Sequence, residues 1–208
     1  MSIVTFFTRQ ARQPSGWFGR WIMSAIFDVG NAPLNRLVFE NLSPERGDHI
    51  LEIGCGTGKL LQRITGSCAE CIVEGVDFSG TMVAMARKNN RERIDSGRVI
   101  LHRGDIDELS FPAGRFIKAC SVNTLYFWAD PGSTLGTVHR LLKPGGRLLL
   151  GYEDRKQLEQ RQLDREVFRI YSRYEVETLL TATGFENDVQ TRSMKKGASW
   201  FHCTCGTK

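Results

Sequence analysis

The sequence lacks the features of membrane and secreted proteins. No run of about 18 apolar residues occurs in its 208 residues, so we expect no transmembrane helix. The stretch before Arg9 is too short for the core of a signal peptide. Six cysteines are too few for a disulfide scaffold, so we expect reduced thiols and a cytoplasmic location.

The chain also lacks internal repeats, low-complexity segments and a strong charge. Its 28 Lys and Arg residues exceed its 23 Asp and Glu residues by only five, which permits anionic partners without requiring nucleic acid. A hydrophobic fraction of 41% and a charged fraction of 25% exclude disordered and fibrous classes. The length indicates one domain with a small appendage.

The first part of the chain differs from the rest, because no acidic residue precedes Asp28. Arginines lie there among six of the 20 aromatic residues, which are Phe6, Phe7, Trp17, Phe18, Trp21 and Phe27. After Pro44 and Gly47 the pattern changes to alternating strands and helices. We therefore predict an N-terminal helical segment over residues 1–47 and a folded domain over residues 48–208.

Strand and helix patterns alternate through that domain. The predicted strands are His49–Ile53, Cys71–Val76, Val99–Leu101, Phe116–Val122, Arg147–Tyr152, Asn187–Thr191 and Ser199–Thr204. Predicted helices lie at 60–64 and 79–89, from an Asp130-Pro131 start to Leu142, and from a Ser172–Glu175 capping box to Gly184. This alternation predicts a Rossmann-like, doubly wound α/β fold. Its seven-stranded sheet is mostly parallel, has helices on both faces and ends in an antiparallel hairpin.

The most informative motif is a glycine loop after the first predicted strand. Gly54, Gly56 and Gly58 follow the acidic Glu52, at the strand end where α/β sheets bind ligands. The dinucleotide fingerprint requires glycine at position 59, which is Lys59. The phosphate-binding P-loop requires glycine at position 53 and Ser or Thr at position 60, which are Ile53 and Leu60. Both patterns are therefore excluded.

The remaining pattern, acidic-x-Gly-x-Gly-x-Gly, resembles the first motif of class I S-adenosylmethionine-dependent methyltransferases. Four further matches follow in order: Asp77, 25 residues after Glu52; Gly104-Asp105-Ile106; Asn123-Thr124-Leu125-Tyr126; and Leu141 to Gly146. The resemblance covers roughly residues 48–205. Within that family, the sequence looks similar to the broad group of quinone-biosynthesis and other small-molecule methyltransferases.

The resemblance implies S-adenosylmethionine as cofactor and a role for each matching residue. The methionine end of the cofactor would be held by Glu52 and by the backbone of Gly54, Cys55, Gly56 and Gly58, with Asn123 beneath it. The ribose would be held by Asp77. The face of the adenine would pack on Phe78 and Met82, and its edge would bind Asp105 and Ile106.

Each of these residues also has a purely structural interpretation. Glu52 could belong to a buried ion pair, Asp77 could be a helix N-cap, and Asp105 and Asn123 could be turn residues. Phe78 and Met82 could be core residues. These alternatives stay open at the level of the sequence.

Methyl transfer from a sulfonium requires alignment more than a fixed catalytic group, so we predict no catalytic constellation. Tyr126 is the one candidate pocket residue, with packing as its alternative. Glu153 and Asp154 follow the fifth strand, where an acceptor could bind, but the charged residues around them favour a solvated helix face. The spacing of Cys68-x-x-Cys71 and Cys203-x-Cys205 does not indicate a zinc site, so we predict no metal.

Three functions fit the sequence. The first is methyl transfer to a small-molecule or lipid-like acceptor, with the aromatic N-terminal segment over the acceptor site or in contact with a membrane surface. The second is RNA methylation, suggested by the basic residues Arg87, Lys88, Arg91, Arg93, Arg98 and Arg103. That stretch is equally typical of a helix C-terminus, which makes nucleic acid the weaker partner. The third is a non-catalytic S-adenosylmethionine-binding protein. No feature indicates an oligomeric state.

Overall fold

The computed structural model describes residues 24–161, 163–164, 168–186 and 188–208. The strands are β1 (His49–Ile53), β2 (Ile72–Asp77), β3 (Val99–Arg103), β4 (Phe116–Val122), β5 (Leu142–Glu153), β6 (Gln190–Lys196) and β7 (Ser199–Thr207). The helices are α1 (Ser24–Leu42), α2 (Lys59–Ser67), α3 (Gly80–Asn89), α4 (Arg91–Asp95), α5 (Pro131–Leu141), α6 (Arg155–Glu159) and α7 (Arg173–Ala182), with a 3₁₀ turn at Leu125–Phe127.

The seven strands form one sheet in the order β3-β2-β1-β4-β5-β7-β6. Strands β1 to β5 pair in parallel, and β7 runs antiparallel to both β5 and β6. The predicted mostly parallel sheet with a terminal antiparallel hairpin is confirmed. The carboxyl ends of β1 to β5 therefore lie at one edge, together with the start of β7.

The predicted helix starts of α5 and α7 are confirmed. The Asp130 carboxylate accepts hydrogen bonds from the Gly132 and Ser133 amides, and Pro131 occupies the first turn. Ser172 and Glu175 form the expected capping box.

The strand predictions that differ most in extent from the structure are those of β5 and β6. Strand β5 begins at Leu142, and the predicted turn Lys143–Gly146 lies within it as an irregularity, where the register against β4 shifts. Strand β6 runs from Gln190 to Lys196 instead of ending at Thr191. It is an exposed, polar edge strand, so it lacks the apolar alternation that marks a strand in a sequence.

Buried side chains cover both faces of the sheet. On one face α1 packs against β4, β5 and β7. Its residues Leu34, Leu37, Val38 and Leu42 are buried at helical spacing. The approach is close, because a Cβ built on Gly151 of β5 would lie 2.5 Å from Val38 Cγ2. The N-terminal helical segment over residues 1–47 stays a prediction: α1 lies within it and packs on the sheet, and residues 1–23 lie outside the described residues.

A charged cluster around Glu74 of β2 stabilises the sheet. The fully buried carboxylate of Glu74 on β2 accepts hydrogen bonds from His49, His102 and Arg115, each at 2.6 Å. Burial alone would raise the pKa of Glu74, but these three partners hold it well below its ordinary value. His102 therefore has a structural role within the sheet. No helix among the described residues is long and apolar enough to cross a membrane.

Candidate active site

A cavity of about 880 Å³ opens at the carboxyl edge of the sheet. This is the position where open α/β sheets bind ligands. The structure brings together there every residue predicted for the cofactor or for catalysis except Gly58, namely Glu52, Gly54, Cys55, Gly56, Asp77, Phe78, Met82, Asp105, Ile106, Asn123 and Tyr126.

The three glycines of the loop are required for different reasons. All three have positive φ, between 53° and 78°. A Cβ on Gly54 would lie 2.2 Å from Thr124 Cγ2, and one on Gly58 would lie 2.4 Å from Asn90 Nδ2. A Cβ on Gly56 would meet no protein atom within 4 Å, so it would point into open space beside the cavity. Gly54 and Gly58 therefore permit packing, and Gly56 leaves room for a ligand.

The glycine loop is held from outside the cavity by the end of α3. Asn89 Nδ2 donates to the Thr57 carbonyl at 3.0 Å, and Asn90 Nδ2 donates to the Gly58 carbonyl at 3.2 Å. Asn90 is fully buried. On the other side, the Gly54 amide donates to the Val76 carbonyl of β2 at 2.8 Å. The loop is therefore fixed between two elements before any ligand binds.

Asp77 at the end of β2 joins the loop to the start of α3. Its carboxylate accepts from the Gly56 amide and from the Ser79 amide, both at 2.9 Å. Burial raises the pKa of Asp77, and these two hydrogen bonds oppose the rise. The N-cap of α3 is Ser79, so the interpretation of Asp77 as that cap is wrong.

Glu52 on β1 is a buried carboxylate without a balancing charge. Only 3% of the residue is exposed, and its Oε2 has no hydrogen-bond partner among the described residues. Burial and the nearby charge of Asp77 raise its pKa well above the ordinary 4.5, although a hydrogen bond from the Leu61 backbone lowers it. No basic side chain in the described part of the chain pairs with Glu52, so the ion-pair interpretation is not supported.

The loop after β3 supplies the next wall of the cavity. Asp105 is exposed, and its Oδ1 accepts from the Asp107 amide at 3.2 Å, as in a turn. Ile106 and Met82 are buried, whereas Phe78 is partly exposed to the cavity. The site therefore combines an acidic rim with an apolar floor at this end.

Asn123 and Tyr126 occupy the turn after β4. Asn123 has a φ of 56°, and its Nδ2 donates to Asn31 Oδ1 of α1 at 2.6 Å. The Tyr126 hydroxyl donates to Asn123 Oδ1 at 3.2 Å and accepts from the Glu153 amide at 2.6 Å. Burial raises the pKa of Tyr126 well above its ordinary value. Tyr126 is thus a protonated and fixed wall of the cavity.

Several residues of the cavity were not found from the sequence. Asn31 and Asn35 reach it from α1, and Glu153 lies in its wall instead of on the solvated helix face that the sequence favours. The aromatic residues Phe127, Trp128, Phe168 and Phe201 also line it. The position of Glu153 directly after a parallel strand was the available signal. Nothing local marked Asn31, whose partner is 92 residues away.

The thiols differ in part from expectation. Cys68 and Cys71 form a disulfide between the end of α2 and the start of β2, so the expectation of reduced thiols is wrong for this pair. The spacing of three residues across this turn places their Cα atoms 5.4 Å apart, which is within the range for a disulfide. Cys55, Cys120, Cys203 and Cys205 are free.

Comparisons with known proteins agree with this geometry. Residues 50–146 match the family model described as a methyltransferase domain. The chain is 29% identical over 175 residues to the uncharacterized methyltransferase YdaC of Bacillus subtilis, covering 84% of this chain and 92% of YdaC. It is 32% identical over 117 residues to the O-methyltransferase cnsE of Penicillium expansum, covering 56% of this chain but only 42% of cnsE.

A solved structure shares the fold of this chain. Phosphoethanolamine N-methyltransferase 2 of Haemonchus contortus, in complex with phosphomonomethylethanolamine and S-adenosylhomocysteine, superposes with a TM-score of 0.76. The match covers 100% of this chain and 61% of that one at 18% identity, which shows the fold alone. Together, the match to a methyltransferase domain over just under half of the chain, the curated relatives and the seven-stranded sheet with its glycine loop support a class I S-adenosylmethionine-dependent methyltransferase.

Proposed function

We propose that this protein transfers the methyl group of S-adenosylmethionine to a small-molecule acceptor bound in the same cavity. The observation that carries the proposal is the unpaired, buried carboxylate oxygen of Glu52 beside the glycine loop. A buried carboxylate without a partner is costly. An ammonium group at that position would offset the cost, and the methionine end of this cofactor carries one.

The other residues predicted for the cofactor fit its ribose and its adenine. Asp77 keeps acceptor capacity beyond its two amide hydrogen bonds, so it can accept from a ribose diol. Phe78, Met82 and Ile106 offer an apolar slot for adenine, with the carboxylate of Asp105 at its rim. Gly56 leaves the backbone open to close approach. When bound, the cofactor supplies an activated methyl group on a sulfonium.

The protein's own contribution is to bind and align. Tyr126 is held protonated by burial and is fixed by two hydrogen bonds, so it shapes the cavity and does not act as a base. Holding an acceptor in line with the methyl group supplies much of the acceleration for such a transfer. The acidic lining of the cavity favours a small molecule over an RNA backbone, which carries one negative charge per nucleotide.

Titration calorimetry with S-adenosylhomocysteine tests the proposal, with NAD as the comparison ligand. We expect S-adenosylhomocysteine to bind and NAD to give no signal, because Lys59 replaces the last glycine of the dinucleotide motif. Asp77→Ala should raise the dissociation constant at least about 10-fold, because it removes charge-assisted hydrogen bonds worth about 1.5–3 kcal/mol each.

Asp130→Ala is the matched control for Asp77→Ala. Asp130 also accepts two backbone amides, but it caps α5 outside the cavity. We expect this variant to lose about 1 kcal/mol of stability and to keep its affinity. If both variants bind S-adenosylhomocysteine like the parent, Asp77 has no part in the site; binding of NAD alone would overturn the proposed function.

A further inference from the structure

We infer that the half of the cavity at the ends of β4, β5 and β7 binds an uncharged aromatic hydroxyl compound as the methyl acceptor. The inference rests on the proposed function, because it assigns the space that the cofactor leaves free. Four features of that half support the inference: its position, its aromatic wall, its charge and one buried carboxylate.

The sheet order separates the cavity into two halves. Apart from Asn123, the residues that fit the cofactor lie at the ends of β1, β2 and β3. By contrast, Tyr126 follows β4, Glu153 ends β5 and Phe201 lies near the start of β7. Neighbouring strands are about 4.8 Å apart, so the ends of β1 and β5 are about 10 Å apart. That distance leaves room for a second molecule beside the methionine end of the cofactor.

The wall of this second half is built from aromatic rings. Phe168 stacks on Tyr126 with the ring centroids 4.4 Å apart and meets Phe127 edge to face at 5.1 Å. Trp128 and Phe201 add further aromatic surface to the lining. Flat rings bury well against such a wall, through apolar contact and offset or edge-to-face geometry. The wall therefore favours a planar ring over a flexible polar chain.

The charges of the cavity disfavour an anionic acceptor. Among the described residues, six acidic side chains line it, namely Glu52, Asp77, Asp105, Asp107, Glu108 and Glu153, against only Lys59 and Arg161. Arg161 is already engaged, because its two terminal nitrogens contact the two oxygens of Glu153 at 3.1 and 2.5 Å. Because the other five carboxylates lie at the ends of β1 to β3, a phosphate or carboxylate in the acceptor half would meet Glu153, with no free cation among the described lining residues of that half to balance it.

Glu153 provides the polar anchor for a hydroxyl group. Only 14% of its side chain is exposed, and Gln157 Nε2 donates to its Oε2 at 2.7 Å. Its carboxylate is therefore held in one orientation at the cavity wall. Two carboxylate oxygens have more acceptor positions than these contacts use, so an acceptor hydroxyl can donate to one of them. In the transfer, the hydroxyl oxygen gains the methyl carbon, the carbon–sulfur bonding pair stays on sulfur, and the hydroxyl proton passes to water.

The experiment measures binding of 2-naphthol and of 2-naphthyl phosphate to the full chain saturated with S-adenosylhomocysteine, by calorimetry. We expect 2-naphthol to bind at least about 10-fold more tightly than its phosphate ester. Phe127→Ala should weaken 2-naphthol at least about 10-fold and leave S-adenosylhomocysteine unchanged. Tyr174→Ala is the matched control, because it removes an exposed ring on α7 that is not part of the cavity. Phe127→Leu, which keeps an apolar side chain but no ring, replaces Phe127→Ala if that variant unfolds.

The outcomes separate this inference from the proposed function. Equal or tighter binding of the phosphate ester, or equal losses in the Phe127 and Tyr174 variants, would overturn the aromatic acceptor site while S-adenosylhomocysteine still binds. Failure of the parent protein to bind S-adenosylhomocysteine would overturn the proposed function, and this inference with it. Glu153→Gln should keep ring binding and lower the preference for 2-naphthol over naphthalene, and an unchanged preference would remove Glu153 as the anchor.

Discussion

Glu52 and Asp77 place two acidic groups side by side in a buried site. Burial raises the pKa of both, and the charge of Asp77 raises the pKa of Glu52 further. Because the folded state favours a proton on Glu52, its contribution to stability is present below the ordinary pKa of 4.5 and is lost as the pH rises through the raised value. A bound cation reverses this preference. Ligand affinity and protonation are therefore linked at this residue.

We predict that the affinity for S-adenosylhomocysteine increases with pH as Glu52 ionises, above its ordinary value of 4.5. Glu52→Gln should bind at least about 10-fold more weakly at neutral pH, because a charged partner of the ammonium group is lost. Its pH dependence should also be shallower, with the remaining slope due to Asp77. Calorimetry over a pH series checks both effects, and Glu108→Gln, at an exposed carboxylate of the same cavity, is the control. A parallel pH dependence in parent and Glu52→Gln would contradict the assignment.

At the level of single residues, the sequence predicts the glycine loop and the residues after β1 to β4, because local motifs carry the resemblance to the methyltransferase family. Gly54 and Gly58 are constrained by contacts with Thr124 and Asn90, which no local pattern reveals. The contact of Asn123 with Asn31 likewise depends on how α1 lies across the sheet. Tertiary packing, not composition, determines these parts of the site.

At the level of elements, the end of α3 acts as a brace for the glycine loop. The side chains of Asn89 and Asn90, at the C-terminus of that helix, donate hydrogen bonds to two carbonyls of the loop. The loop has three residues with positive φ, which cost conformational entropy to order. The brace reduces the entropy that a ligand must remove on binding.

We predict that Asn89→Ala weakens S-adenosylhomocysteine about 3- to 10-fold with a loss of stability of about 1 kcal/mol, the usual contribution of one hydrogen bond. Asn41→Ala is the matched control, because Asn41 Nδ2 also donates to a backbone carbonyl, that of Leu37, outside this cavity. Calorimetry and thermal unfolding of both variants distinguish a brace from a general structural role. Equal affinity of the two variants would show that the loop orders itself without α3.

The element boundaries show where sequence patterns fail. Caps with a hydrogen-bonding side chain, such as Asp130 and Ser172, were predicted correctly because their chemistry is local. The start of β5 was wrong because Gly145 and Gly146 indicate a turn, whereas the sheet absorbs them as an irregularity within the strand. The extent of β6 was wrong because an edge strand needs no apolar face.

At the level of the whole molecule, α1 packs into the core, whereas the function of residues 1–23 is a proposal. We propose that this segment covers the acceptor half of the cavity, because it concentrates five aromatic residues before α1, at Phe6, Phe7, Trp17, Phe18 and Trp21. Three residues of α1, namely Gly30, Asn31 and Asn35, already line the cavity.

We predict that deleting residues 1–23 leaves a folded protein that binds S-adenosylhomocysteine within about 2-fold of the parent and loses acceptor turnover, because closure excludes water and aligns the acceptor. A deletion through residue 38 is the contrasting control, because it removes the buried Leu34, Leu37 and Val38 and should unfold. Unfolding of the shorter deletion would show that residues 1–23 are a packed part of the fold. Unchanged turnover with loss of liposome binding would assign them to a membrane surface.

Because β7 is antiparallel to β5, the hairpin turn that precedes it lies beside the acceptor half of the cavity. The hairpin turn at Gly197-Ala198 stands at the rim of the cavity, between β6 and the residues Ser199 and Phe201 of its lining. Hairpin turns tolerate insertion and substitution well. A change of sequence or length in this turn can therefore alter which acceptor fits, while the cofactor half at the ends of β1 to β3 keeps its geometry.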